Sequence, residues 1–197
     1  MALGDRKIII KNDEELACVT KKVSELLQAI HNYLGDRNCE EAKIKFPRGY
    51  IRKCVNHRKR YSFIKDKTLR SNIAYALLTT DIFRWLLNRT DLAIVAKEML
   101  IKQGIVIFGA IAEAITKYYL RGKPGGGKSF KKRVEVLQNN GIIDESLRRE
   151  LEWLWDCRNR IHLMLLNDKE YGHYEIIDYN RAVKALNGLR IALGGKP

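Results

Sequence analysis

Between Asp91 and Leu120 the chain has no proline, and its apolar residues, among them Met99, Ile105, Phe108, Ile111 and Ile115, return at helical spacing. A helix this long and this apolar must be covered by others, so it belongs at the centre of the fold. The other segments supply the cover. Leu16, Val19, Val23, Leu26, Leu27, Ile30 and Leu34 predict a first helix, capped by Asn12 or Asp13 and ending at Gly35. Leu69, Ile73, Leu77, Ile82, Phe83 and Leu86 predict a second over about 68–87, after which Thr90 or Asp91 caps the central one. Shorter helices are expected over about 129–139, from Asp144 to Leu166, and over about 180–193. No strand pattern or internal repeat emerges, apart from an extended Lys7–Ile10. The expected fold is all-α: one domain over 1–197, a bundle of about five to six helices.

The formal net charge of +14 makes a polyanionic partner the leading expectation. The N-terminus becomes charged at once, unlike a signal peptide, and the longest apolar run, Ile105–Ile115, is interrupted by Glu113. A cytoplasmic chain with no membrane partner is expected. Cys18, Cys39, Cys54 and Cys157 are scattered without ligand spacing, which predicts no disulfide framework, no metal site and no cofactor.

The stretch Gly122–Ser129, GKPGGGKS, fits the phosphate-loop pattern G-x-x-x-x-G-K-[ST] letter for letter. Such a loop needs a buried strand before it, so that glycine amides and the following helix terminus surround the phosphates. Here the preceding AIAEAITKYYL has helical periodicity. The segment therefore reads as a basic turn between two helices.

Lys43–Arg70 holds eleven Lys and Arg residues against the single acid Asp66. Phe46, Tyr50, Tyr61 and Phe63 are interleaved with them. Cations for phosphates and rings for unstacked bases are what single-stranded RNA requires, so Arg52, Lys53, Arg58, Lys59, Arg60 and Tyr61 are the candidate RNA contacts. The alternative is a solvated surface whose rings pin it to the core.

The segment Asp144–Leu166, DESLRRELEWLWDCRNRIHLMLL, carries the most specific signal. On a helical wheel Leu147, Leu151 and Leu154 share one face, and Arg158 and His162 fall on that same face. An arginine on an apolar stripe is costly unless it is paired or opens into a cleft. Arg158 offers a planar fork to phosphate oxygens, and His162 can exchange a proton near neutral pH. Together they suffice for metal-free cleavage of RNA, whose own 2′-hydroxyl is the nucleophile. The competing reading pairs Arg158 with Glu113 as a purely structural bridge. Tyr171, His173, Tyr174 and Tyr179 follow as loop and core residues.

CRNRIHL, Cys157–Leu163, in an all-helical chain resembles the signature of HEPN domains, the higher eukaryotes and prokaryotes nucleotide-binding family. The resemblance extends to the long helix with a mid-helix acid, Glu113, and covers about 91–193, with the N-terminal helix and the basic segment 43–70 packed on that core. Arg158, Asn159 and His162 match the motif by type, although the interval of Asn159, Arg160 and Ile161 is one residue shorter than the family's usual minimum. The resemblance implies a helical bundle, homodimerisation and a metal-independent endoribonuclease acting on RNA. It further implies a toxin–antitoxin or antiviral defence setting with an antitoxin protein as partner. In that reading His162 is general acid or base, Arg158 stabilises charge at phosphorus, Asn159 contacts the phosphate and Glu113 holds Arg158. A non-catalytic RNA-binding or protein-interaction module is the other reading of the same residues.

Overall fold

The computed structural model describes residues 9–160, 169 and 171–195, and the regular secondary structure of these is helical, with no strand among them. They form seven α-helices rather than the five or six expected, and the chain divides into two units at Pro47.

The first unit contains α1 (Asp13–Leu34) and a short 3-10 turn, Glu40–Ala42. The Asn12 side chain caps α1 by accepting from the Glu15 amide, and three acids in the first turn complement the helix dipole. Gly35 follows the last residue with φ 54°, a conformation open to glycine at little cost.

The second unit, from Arg48 onward, holds α2 (Cys54–Arg60), α3 (Lys67–Arg89), α4 (Ile94–Tyr119), α5 (Phe130–Asn139), α6 (Glu145–Asn159) and α7 (Ile176–Ala192). The central helix is α4, which packs against α3, α5, α6 and α7. Ile101, Ile105, Phe108, Ile111 and Ile115 of α4 are buried with Ile73 and Leu77 of α3, Leu151 and Leu154 of α6, and Leu186 and Leu189 of α7. By length and composition α4 is apolar enough to cross a membrane, more than the interruption at Glu113 suggested, and 56% of its most apolar window is buried inside this fold.

The helix ends differ from expectation where the competing local chemistry is stronger. Thr90 closes α3 instead of opening α4, its hydroxyl donating to the Leu86 carbonyl, and α4 starts at Ile94 without a side-chain cap. The last helix begins at Ile176, because Glu175 and Asp178 form a reciprocal capping box. The extra helix is α2, seven residues long, inside the basic segment. Asp144 caps α6 through the Leu147 amide, as its position implied.

Candidate functional site

Arg158 lies on the last turn of α6, against the middle of α4. Gly109 of α4 makes this approach possible: a Cβ there would stand 2.6 Å from the Cβ of Arg158 and 2.9 Å from its Cγ. The guanidinium then reaches along α4. Its Nη2 donates to Glu113 Oε2 at 3.4 Å and its Nη1 to Asn159 Oδ1 at 3.1 Å. The Arg158 group also sits 4.9 Å above the Trp155 ring, which in turn stacks on Phe130 at 4.7 Å. These contacts fix a side chain that is still 26% exposed. Among the described residues, two of the five N–H donors of Arg158 are engaged.

Glu113 also faces Arg133 of α5, whose Nη2 lies 3.9 Å from its Oε1. Burial lowers the Arg133 pKa, and the Glu113 charge acts against that shift. Among the described residues one carboxylate thus serves two guanidiniums, and their local balance is positive. Asp156 does not change it, being engaged with Lys131 at 2.7 Å. His162 lies outside the described residues, as do 161–168 altogether, so the described part of the motif is Arg158, Asn159 and Glu113.

Placing a larger side chain at Gly109 tests this arrangement. Gly109→Val should cost about 1–3 kcal/mol by overpacking the α4–α6 contact and should push Arg158 off Glu113. The check is a urea unfolding series against wild type. An unchanged midpoint would mean that the two helices are not held at this distance.

The six candidate RNA contacts divide. Lys53 and Lys59 are exposed, and Arg58 is half-buried with no partner for its Nε among the described residues. Tyr61 is only 2% exposed, and burial, against the opposing charges of Arg190, Arg60 and Arg52, pushes its hydroxyl up to about 12. Its ring belongs to the core and offers no face to a base. Arg60 donates to Asn187 Oδ1 of α7 at 3.2 Å. Arg52 is committed to Asp81: its amide, Nε and Nη2 all donate to that carboxylate, at 3.1, 3.1 and 2.5 Å.

Asp81 was not expected to matter. It lies in α3, 1% exposed, and besides Arg52 it accepts from His57 Nε2 at 3.0 Å, with Arg84 Nη2 at 3.5 Å. Burial alone would raise its pKa, but the hydrogen bonds from His57 and Arg52 and the Arg52 charge hold it well below the usual carboxylate range. A signal was present in the sequence: Ile73, Leu77 and Asp81 follow one another at four-residue spacing, which puts the acid on the apolar stripe.

The glycine-rich stretch joins α4 to α5, two helices, and Lys128 contributes its carbonyl to Arg133 Nη1 at 2.5 Å. The strand that a phosphate loop requires is absent among the described residues. No group of three or more His, Cys, Asp or Glu side chains suited to a metal occurs among them either, and the four cysteines are free.

No family model, curated protein or solved structure matches the chain.

Proposed function

We propose that the protein is a metal-independent endoribonuclease of HEPN type acting on single-stranded RNA, as a homodimer. The observation that carries the reading is Arg158: a guanidinium on an apolar helix stripe, tethered by Glu113 and Asn159 yet partly exposed, four positions before His162. A purely structural bridge would have one carboxylate per guanidinium. Here Glu113 is shared with Arg133, and the surplus positive charge suits a phosphate in a trigonal-bipyramidal transition state.

His162 serves as the base for the 2′-hydroxyl or as the acid for the leaving 5′-oxygen, and Arg158 stabilises the charge that builds on the phosphoryl oxygens. Asn159 orients Arg158 and contacts the phosphate. In a symmetric dimer two copies of the motif supply the acid and the base together. A defence or toxin–antitoxin role, with an antitoxin partner, accompanies this reading. The one-residue-short interval between Arg158 and His162 favours a second one, in which the same residues hold RNA without cutting it.

The test is the product. Purified protein in EDTA should cut single-stranded RNA to 2′,3′-cyclic phosphate and 5′-hydroxyl ends and should leave a 2′-deoxy linkage at the same position intact. Cleavage of the deoxy linkage would remove the 2′-hydroxyl from the mechanism.

The RNA track is assigned to the exposed cations Lys53 and Lys59 of α2 and its flank, with the half-buried Arg58 between them. Neutralising Arg58 and Lys59 together should flatten the plot of log affinity against log salt, by about 0.7 for each single-strand phosphate that is no longer neutralised. An unchanged slope in a titration across salt concentrations would place the track elsewhere.

A further inference from the structure

A cavity of about 300 Å³ opens between α2, α3, α4 and α7, at the lower end of the roughly 300–1,000 Å³ typical of small-molecule sites. Its floor is apolar, made by Leu77, Leu87, Phe108, Val183 and Leu186. Its polar lining is strongly cationic: Arg52, Arg60 and Arg84 face a single carboxylate, Asp81, and Asn88, Asn180 and Asn187 add amides.

The guanidiniums are not equally occupied. Arg52 is held by Asp81 through three donors. Arg84 reaches that carboxylate at 3.5 Å and lies over the Tyr50 ring at 5.1 Å, and its buried Nε has no hydrogen-bond partner among the described residues. Among the described residues, the Arg60 side chain donates to the neutral Asn187. Arg190, which does not line the cavity, is 2% exposed, its Nε and Nη1 have no partner among the described residues, and its pKa is lowered by burial and by the charge of Arg60, while Tyr61 opposes the shift. Buried donors without acceptors cost free energy unless a ligand meets them, and two neighbouring cations without a carboxylate attract an anion. Asp81 offsets one of the three lining charges, so the remainder is balanced by a dianion rather than by a carboxylate.

We propose that this cavity binds a small phosphomonoester, its phosphate held by Arg60 and Arg84 and its flat or apolar body resting on the Leu77, Phe108 and Leu186 floor. An arginine fork matches phosphate oxygens in geometry as well as charge. Asn88 and Asn180, both exposed at the rim, offer amides to polar groups on the body. None of the described residues of the Arg158 motif lines this cavity, and the proposal does not depend on the ribonuclease reading.

The experiment is calorimetry on the full chain at low salt, with phenyl phosphate, inorganic phosphate and phenol as probes. Phenyl phosphate should bind more tightly than inorganic phosphate or phenol. Arg84→Gln and Arg60→Gln should each weaken it by roughly tenfold to a hundredfold, the range for one charge-assisted hydrogen bond. Arg60→Gln also disturbs the contact with α7, so Asn180→Asp is the control for folding. It is nearly isosteric and exposed, and it should weaken phenyl phosphate while leaving the thermal midpoint in place. Absence of binding at millimolar phenyl phosphate, equal affinity in all three variants, or phenol binding as tightly as its phosphate would overturn the site.

Competition identifies the source of the phosphate. Displacement by a 5′-phosphorylated RNA oligomer but not by its 5′-hydroxyl form assigns an RNA end, and displacement by neither assigns a free metabolite. Displacement by both alike overturns the phosphomonoester assignment.

Discussion

Replacing Asp81 by alanine is expected to destabilise the fold by about 3–5 kcal/mol, the range for removing one partner from a buried charge cluster. The loss is large because the carboxylate, 1% exposed, accepts from Arg52 and from the fully buried His57 and stands beside Arg84. Without it, α2 loses its polar anchor on α3 and two guanidiniums are left facing each other. Against a total of about 5–15 kcal/mol for a typical domain, much of the stability goes. Asp81→Asn should cost less, since an amide oxygen still accepts one hydrogen bond. The pH dependence has a definite sign. The Asp81 pKa is lower in the folded than in the unfolded chain, so its contribution is fully present above about pH 4, the ordinary aspartate value, and is lost as pH falls through the folded one. Urea unfolding of wild type and Asp81→Asn should therefore differ most at neutral pH and converge in strong acid. A gap that widened on acidification would contradict the assignment.

What the sequence disclosed follows from range. Helix bodies and several caps are local, so Asn12 and the recurrence of leucine and isoleucine were enough to place α1, α3 and α4 within a few residues, and Asp144 to place the start of α6; the described α6 ends at Asn159, short of the Leu166 expected, and 161–168 lie outside the described residues. The helix α2 escaped because CVNHRKR is too short and too cationic to show a period. Arg158 and Glu113 could be matched across 45 positions only because each is an unexpected charge on an apolar face, which demands a partner. Asp81, another acid on an apolar stripe, demanded Arg52 and His57 in the same way. Tyr61 shows the opposite difficulty. A ring between cations can stack on a base or fill a core, and alternation in sequence does not distinguish the two; three-dimensional packing put it inside. The arginine-lined cavity draws on α2, α3, α4 and α7, whose residues share no local pattern.

The second large effect concerns RNA. Arg158→Ala is expected to lower cleavage by about 10²–10³, comparable to removing one oxyanion donor from a preorganised site. Glu113→Gln keeps the volume and one acceptor but takes away the charge that holds Arg158 and Arg133. It should reduce turnover by less than Arg158→Ala, with RNA binding retained. His162→Ala removes the proton-transfer group and should cost about 10²–10⁴. The direct test compares wild type with His162→Ala on the same single-stranded RNA, at equal RNA occupancy and in EDTA. Wild type should give 2′,3′-cyclic phosphate ends and the variant almost none. Equal cleavage by both, or none by wild type across many RNAs, would contradict the ribonuclease assignment.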